Sequence, residues 1–259
     1  MASHAPSKRT EALALLRDGV PNREVADRLG LPRGTVGWWR SEDRRARGED
    51  YQRPTDCPRC TERTLDRTAY AYLLGLYLGD GHIISKPRQH HLSVYCDARY
   101  TGLIAAAEDA MRTVLPSAAT GRRSRNGCVE VKSYTRHWTC LFPQHGAGPK
   151  HERRIVLEPW QGEVVEARPW EFVRGLIHSD GCRITNWTTR TVGGERRRYE
   201  YPRYLFTNKS DDVRALFTGA LDALGITWTV LNRDGRPYNI SVARKASVAL
   251  MDTHVGPKH

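Results

Sequence analysis

The chain has 259 residues, 39% of them hydrophobic, enough to bury a core in one large or two moderate domains, so disorder is excluded as the default. Lysine and arginine outnumber the acids 41 to 29, and a formal charge of +12 points to a polyanionic partner, nucleic acid being the commonest. No run approaches the roughly 18 apolar residues of a membrane span and the first residues form no hydrophobic signal core; the expectation is a cytoplasmic protein, without membrane contact, whose six cysteines stay reduced.

Residues 10 to 45 read as three short helices within an all-α domain of residues 1–48. The stretch TEALALLRDG stops at Gly19; a second helix starts at Asn22, a favoured N-cap, and runs to Leu29; after Gly30, Pro32 opens a third through RGTVGWWRSEDRR. Ala26 is small where two helices must cross closely, and Gly30 supplies a left-handed residue four positions on. Val25, Leu29, Leu31, Val36 and Trp39 form the apolar face between them. The pattern resembles a helix-turn-helix, although a generic helical hairpin produces it too. The resemblance implies that the third helix enters the major groove, with Arg33, Thr35 and Arg40 as base or phosphate contacts and Trp38 beside the backbone.

Residues 49–68 are polar, charged and aperiodic, and are expected to be a linker. Cys57 and Cys60 lie in it as CPRC, half of a zinc site at most; Cys96, Cys128, Cys140 and several histidines are available to complete one. With no second close cysteine pair in the chain, a turn carrying two thiols is the preferred reading over zinc.

Residues 69–259 contain an internal repeat. AYLLGLYLGDGHI from Ala71 recurs as EFVRGLIHSDGCRI from Glu171, pairing Gly75 with Gly175, Leu76 with Leu176, Gly79 with Ser179, Asp80 with Asp180 and Gly81 with Gly181. Small residues at i and i+4 let two helix backbones approach, so Gly75, Gly79, Gly175 and Ser179 are the expected helix interface. Asp80 and Asp180 would then meet at two helix C-termini, each facing the negative end of a dipole and the other acid. That arrangement calls for a cation, and two carboxylates favour a hard divalent ion such as magnesium or calcium over zinc. Extended segments, an amphipathic helix, a short strand and a final helix follow each Asp-Gly, and each half closes on GPKH, at 148–151 and 256–259. Two halves, about 69–155 and 156–259, are expected to repeat the order αββαββα in a pseudo-twofold α+β domain.

This region resembles the LAGLIDADG homing endonucleases in their single-chain, two-motif form, on the anchors LLGLYLGDG at 73–81 and VRGLIHSDG at 173–181. The resemblance implies two antiparallel sheets forming a saddle on double-stranded DNA, motif helices at the centre, a monomer, and magnesium held by the last acid of each motif, Asp80 and Asp180. The other acidic position of the motif is occupied here by Leu78 and His178, a departure. Family members carry a basic residue late in each half near the scissile phosphates; Lys150 and Lys258 of the repeated GPKH are the first candidates, Lys132 and Lys245 the second.

GRRSRNG at 121–127 and GGERRRYEYPRY at 193–204 read as hairpin tips, making Arg122, Arg123, Arg125, Arg196, Arg197 and Arg198 candidate phosphate or guanine contacts. Three functions remain open: a magnesium-dependent DNA endonuclease, a transcription regulator combining a helix-turn-helix with a non-cleaving LAGLIDADG domain, and an RNA-binding or splicing maturase. Retention of both acids favours the endonuclease.

Overall fold

In the computed structural model, which describes residues 6–49 and 55–259, the chain divides between Thr55 and Asp56 into two units. The first comprises helices α1 (Pro6–Arg17), α2 (Asn22–Leu29) and α3 (Arg33–Ala46) around Ala12, Leu16, Val25, Ala26, Leu31, Val36 and Trp39. Gly30 closes α2 in the left-handed conformation, φ 59°, its N–H donating to Ala26 O. Two details differ from the sequence reading. Asn22 is the first helical residue rather than the cap, because its Oδ1 accepts from Arg40 Nη1 at 2.7 Å; Pro32 precedes α3 and does not open it.

The second unit repeats one topology. Its first half runs α4 (Arg67–Leu78), β1 (Gly81–Lys86), β2 (Gln89–Asp97), α5 (Thr101–Val114), β3 (Ala119–Arg125), β4 (Cys128–Tyr134) and α6 (Trp138–Leu141). A connecting helix, α7 (Pro159–Ala167), leads into α8 (Pro169–Asp180), β5 (Gly181–Val192), β6 (Glu195–Thr207), α9 (Asp211–Ala223), β7 (Thr229–Arg233), β8 (Arg236–Val242) and α10 (Lys245–His254). Each half forms a four-stranded antiparallel sheet, of order β1-β2-β4-β3 and β5-β6-β8-β7. The registers superpose: Gly81 pairs Val94 and Gly181 pairs Phe206, while Val131 lies beside Val94 as Ile240 lies beside Phe206. The αββαββα repeat expected for both halves is therefore the architecture found.

Strand alternation divides each sheet into a core face and an open face. In the first sheet Leu92, Val94 and Val131 are buried in the same core as α4 and α5, while Tyr95 and Glu130 point the other way. Helices α4 and α8 lie between the halves, every residue of α4 from Tyr70 to Leu78 being buried, which is why that segment reads as continuously apolar. Residues 56–65 belong to this unit: the Asp56 carboxylate accepts from Ser117 N–H at 2.8 Å, and Arg63 donates to Val114 O at 2.7 Å and Thr113 O at 2.9 Å. That part of the expected linker is fastened down by hydrogen bonds that no periodicity reveals. Among the described residues no helix is long and apolar enough to cross a membrane.

Candidate active site and nucleic-acid interface

The contact between α4 and α8 has no room for a Cβ at its crossing. A Cβ on Gly75 would lie 2.5 Å from Phe172 O and 2.7 Å from Leu176 N; one on Gly175 would overlap Tyr72 O and stand 3.0 Å from Gly75 Cα. One turn further, a Cβ on Gly79 would press on the Ser179 side chain and come 3.1 Å from Asp180 Oδ2. The four small residues therefore bring backbone onto backbone. Around them Tyr72 and His178 pair across the interface, hydroxyl to Nδ1 at 2.9 Å, and burial holds the His178 imidazole neutral, near a pKa of about 4. The departure from the family pattern at His178 is thus an apolar-core histidine.

The same crossing sets Asp80 close enough to perturb Asp180. Helix α4 stops at Leu78 and α8 continues through Asp180, so both acids meet the negative ends of the dipoles. Loss of hydration pushes the Asp180 carboxyl up to about 6, with repulsion from Asp80 adding to it; loss of hydration raises Asp80 as well. The Gly-Asp-Gly and Ser-Asp-Gly breaks are close approaches rather than left-handed turns: Gly181 has φ −107°, and a Cβ there would be 2.7 Å from Ile177 Cα.

Each GPKH segment delivers its lysine to this place. Lys150 Nζ donates to Gly79 O at 2.7 Å and to Tyr77 O, and Lys258 Nζ donates to Ser179 O at 2.7 Å. The two lysines thus sit on the carbonyls of equivalent residues of the repeat, immediately before the acids. Burial lowers Lys150 to about 8 against the opposing pull of Asp180 and Asp80, and burial lowers Lys258 as well. The second-choice lysines lie elsewhere. Lys132 ion-pairs with Glu130 at 3.2 Å on the open face of the first sheet, and Lys245 is the exposed first residue of α10.

Two neighbours of the acids were not read from the sequence. Asn208 Nδ2 donates to Asp180 Oδ2 at 2.6 Å, and Asn208 is itself positioned by Ser210 N–H on its Oδ1 at 2.8 Å. Counted along the hairpin from Gly81, the same register position in the first half is Cys96, whose buried thiol is raised to about 12 by burial and then by Asp80. The signal lay in the hairpin register, two residues beyond the partner of each glycine. A cleft of about 390 Å³ opens beside Asp180, walled by Lys150, His82, His145, Arg153 and Lys209. The site offers carboxylate and carbonyl oxygens flanked by cations, a donor set that suits a hard divalent ion better than zinc.

The candidate DNA-contact arginines do not share one orientation. Arg123 and Arg125 fall on the open face of the first sheet, opposite Glu130 and Cys128; Arg125 ion-pairs with the buried Glu130 at 3.3 Å. Arg122, one residue out of phase, turns toward α5 and donates to Glu108 Oε2 at 2.6 Å. In the long β5–β6 hairpin Arg197 pairs across from Arg190, on the face shared with Tyr199, Tyr201 and Arg203. Arg196 and Arg198 point to the opposite face, where Arg198 stacks 4.9 Å over Trp187 and pairs with Glu200 at 2.7 Å. In the three-helix unit Arg33 is exposed and Thr35 half-buried, whereas Arg40 is half-buried and committed to Asn22. Cys57 and Cys60 lie in a turn at the start of the second unit, together with His137 and Cys140.

The chain is similar in structure to LAGLIDADG proteins. The solved structures it resembles include I-DmoI in complex with DNA and Mn, at 13% identity and a TM-score of 0.48 over 74% of this chain and 98% of that one. They include also the homing endonuclease I-WcaI bound to its DNA recognition sequence, at 11% identity and 0.47 over 74% and 82%. A third is the N-terminal LAGLIDADG domain of WhiA, at 13% identity and 0.45 over 73% and 83%. No family model and no curated protein sequence matches the chain.

Proposed function

We propose that this protein binds double-stranded DNA sequence-specifically and hydrolyses a phosphodiester with a divalent cation, magnesium in the cell, held by Asp80 and Asp180. One observation carries the reading: the repeat spends its closest backbone contact on bringing two acids together where loss of hydration and the helix dipoles disfavour the charge of both, and repulsion from Asp80 adds at Asp180. An arrangement that costs stability at a cleft is the mark of a working site.

The residues divide the chemistry. Asp80 and Asp180 would hold the ion, which supplies Lewis-acid stabilisation of the phosphate and an acidified water. Lys150 and Lys258, now on Gly79 O and Ser179 O, offer ammonium groups to a phosphate oxygen entering the same space. Lys150, depressed to about 8, is suited to give or take a proton near neutral pH. Asn208 fixes one oxygen of Asp180 and leaves the other to the cation. Arg123, Arg190, Arg197 and Arg203 on the open sheet faces would grip phosphates, with Tyr199 and Tyr201 against sugars. The three-helix unit would act as a helix-turn-helix presenting Arg33 and Thr35 to the major groove, with Arg40 orienting α3 through Asn22.

A non-cleaving regulator has one observation in its favour. Lys150 and Lys258 both act to lower the two carboxyls and so offset part of the cost of their burial without any metal. The test is to select duplexes bound by the full chain and incubate them with magnesium, with calcium and with a chelator. Nicking in magnesium alone, lost with Asp80→Asn or Asp180→Asn, is the expected result; tight binding without any nicking would leave the regulator.

A further inference from the structure

The two halves differ most just before their GPKH segments. In the second half the ten-residue α10 occupies this place, with Val248 and Met251 buried against the core. In the first half there is only α6, four residues long, too short to hold itself. The CPRC turn lies against this weak element. Cys60 N–H donates to Cys57 O at 2.9 Å, and Cys140 N–H to His137 O at 3.0 Å. Each turn therefore projects two side chains, three residues apart, to one side.

Four ligand atoms converge there, from Cys57, Cys60, His137 and Cys140, all within 4.8 Å of one another. Cys60 Sγ is 3.4 Å from His137 Nδ1 and 3.7 Å from Cys140 Sγ, and Cys140 Sγ is 3.8 Å from His137 Nδ1. A tetrahedral zinc with bonds of about 2.3 Å to sulfur and about 2.0 Å to nitrogen has sulfur–sulfur edges near 3.8 Å and sulfur–nitrogen edges near 3.5 Å. A disulfide would need about 2.05 Å, far shorter than the spacing found. The ligand set is soft, complete at four and supplied wholly by protein, which is the composition of a structural site and not of one that keeps a position for substrate.

We propose that Cys57, Cys60, His137 and Cys140 form a structural zinc site that clamps the start of the second unit to α6 and does for the first half what α10 does for the second. Zinc is thus proposed in place of a mere turn at CPRC; the pair that would complete it is histidine-x-x-cysteine, 77 residues from Cys60. The clamp has neighbours of its own. Arg59, inside the knuckle, stacks 4.7 Å over Trp160 of α7, and the Trp138 indole of α6 donates to Ser133 O at 2.9 Å. Downstream of α6 the chain passes through Phe142, packed 4.4 Å from the Tyr77 ring, to Lys150. Zinc would thus support the segment that carries one lysine of the acid site, without being part of that site.

The full chain, purified without chelator, should carry about one zinc per molecule by elemental analysis. Exchange for cobalt should give the sulfur-to-cobalt charge-transfer bands and intense visible bands of a tetrahedral thiolate site. Cys60→Ser together with Cys140→Ser should lose the metal, Asp80→Asn should keep it, and His137→Cys, which rebuilds a four-sulfur set, should keep it with a shifted cobalt spectrum. Wild-type protein that is supplied with zinc yet retains none after gel filtration, and shows no thiolate band with cobalt, would overturn the proposal. So would full zinc retention in the double serine variant. The cobalt measurement on wild type decides the question even if that variant fails to fold.

Discussion

The two halves of the second unit share strand order, hairpin register and the small residues of their central helices, yet surround the equivalent acids differently. Asp180 is held by Asn208, while the matching position beside Asp80 is Cys96, which offers no comparable donor. The hairpin after Asp80 spans strands of 6 and 9 residues, the one after Asp180 strands of 12 and 13, and the arginine-tyrosine face belongs to the longer one. What both halves keep is what the interface requires sterically; what differs is what each side of an asymmetric ligand would meet. A duplex of non-palindromic sequence is the kind of ligand such a pseudo-dimer suits.

The largest break in the symmetry should come from the shared contact. Gly175→Ala places a methyl on Tyr72 O and Gly75, where backbone cannot yield, so the helices must part. Overpacking of this kind costs about 2–3 kcal/mol, and the second unit should melt roughly 5–10 °C lower by calorimetry. Gly219→Ala, on α9 with open space around it, should change little or stabilise slightly.

Next come the arginines, where one-residue phasing predicts opposite outcomes. Replacing Arg190, Arg197 and Arg203 with alanine should weaken DNA binding and reduce the log-log salt slope by about 2–3, read by titration at several salt concentrations. Arg122→Ala should leave that slope unchanged and instead destabilise by about 1–2 kcal/mol, because Glu108 is buried and loses one of its two guanidinium partners. If Arg122→Ala lowers the slope as much as the open-face substitutions do, the assignment of faces is wrong.

The smallest effect concerns protons. Asp180 has a folded pKa of about 6 against an ordinary value of 3.8, so between those pH values the folded chain holds a proton that the unfolded chain has released. Its contribution to stability therefore falls as pH rises through that window and stays unfavourable above it. With chelator present, Asp180→Asn should melt roughly 2–4 °C higher than wild type at pH 7, the gap closing toward pH 4. Asn208→Ala should widen the window by removing the bond that favours the charged form, whereas Cys96→Ala should not.

Much of this was legible in the chain because it is local. The α4 and α8 glycines, the Asp-Gly breaks and the GPKH repeats carry their meaning in fixed spacings, and packing preserved it. What escaped depends on partners far apart in sequence. Asn208 reaches Asp180 only through hairpin register, Arg122 turns away from Arg123 only through strand phase, and Asn22 gives up its capping role only because Arg40 folds against it. The cysteine pair looked isolated for the same reason: the residues gathered around it, His137 and Cys140, lie 77 and 80 positions from Cys60.

Asp80 and Asp180 are expected to act as one site rather than two. Cleavage of a selected duplex in magnesium, followed strand by strand, addresses that directly. Asp80→Asn, Asp180→Asn and the double variant should each bind as wild type does and each lose cleavage of both strands, on the order of 10³-fold or more, with no further loss on combining them. Loss of one strand's cleavage per substitution, additive in the double variant, would contradict it.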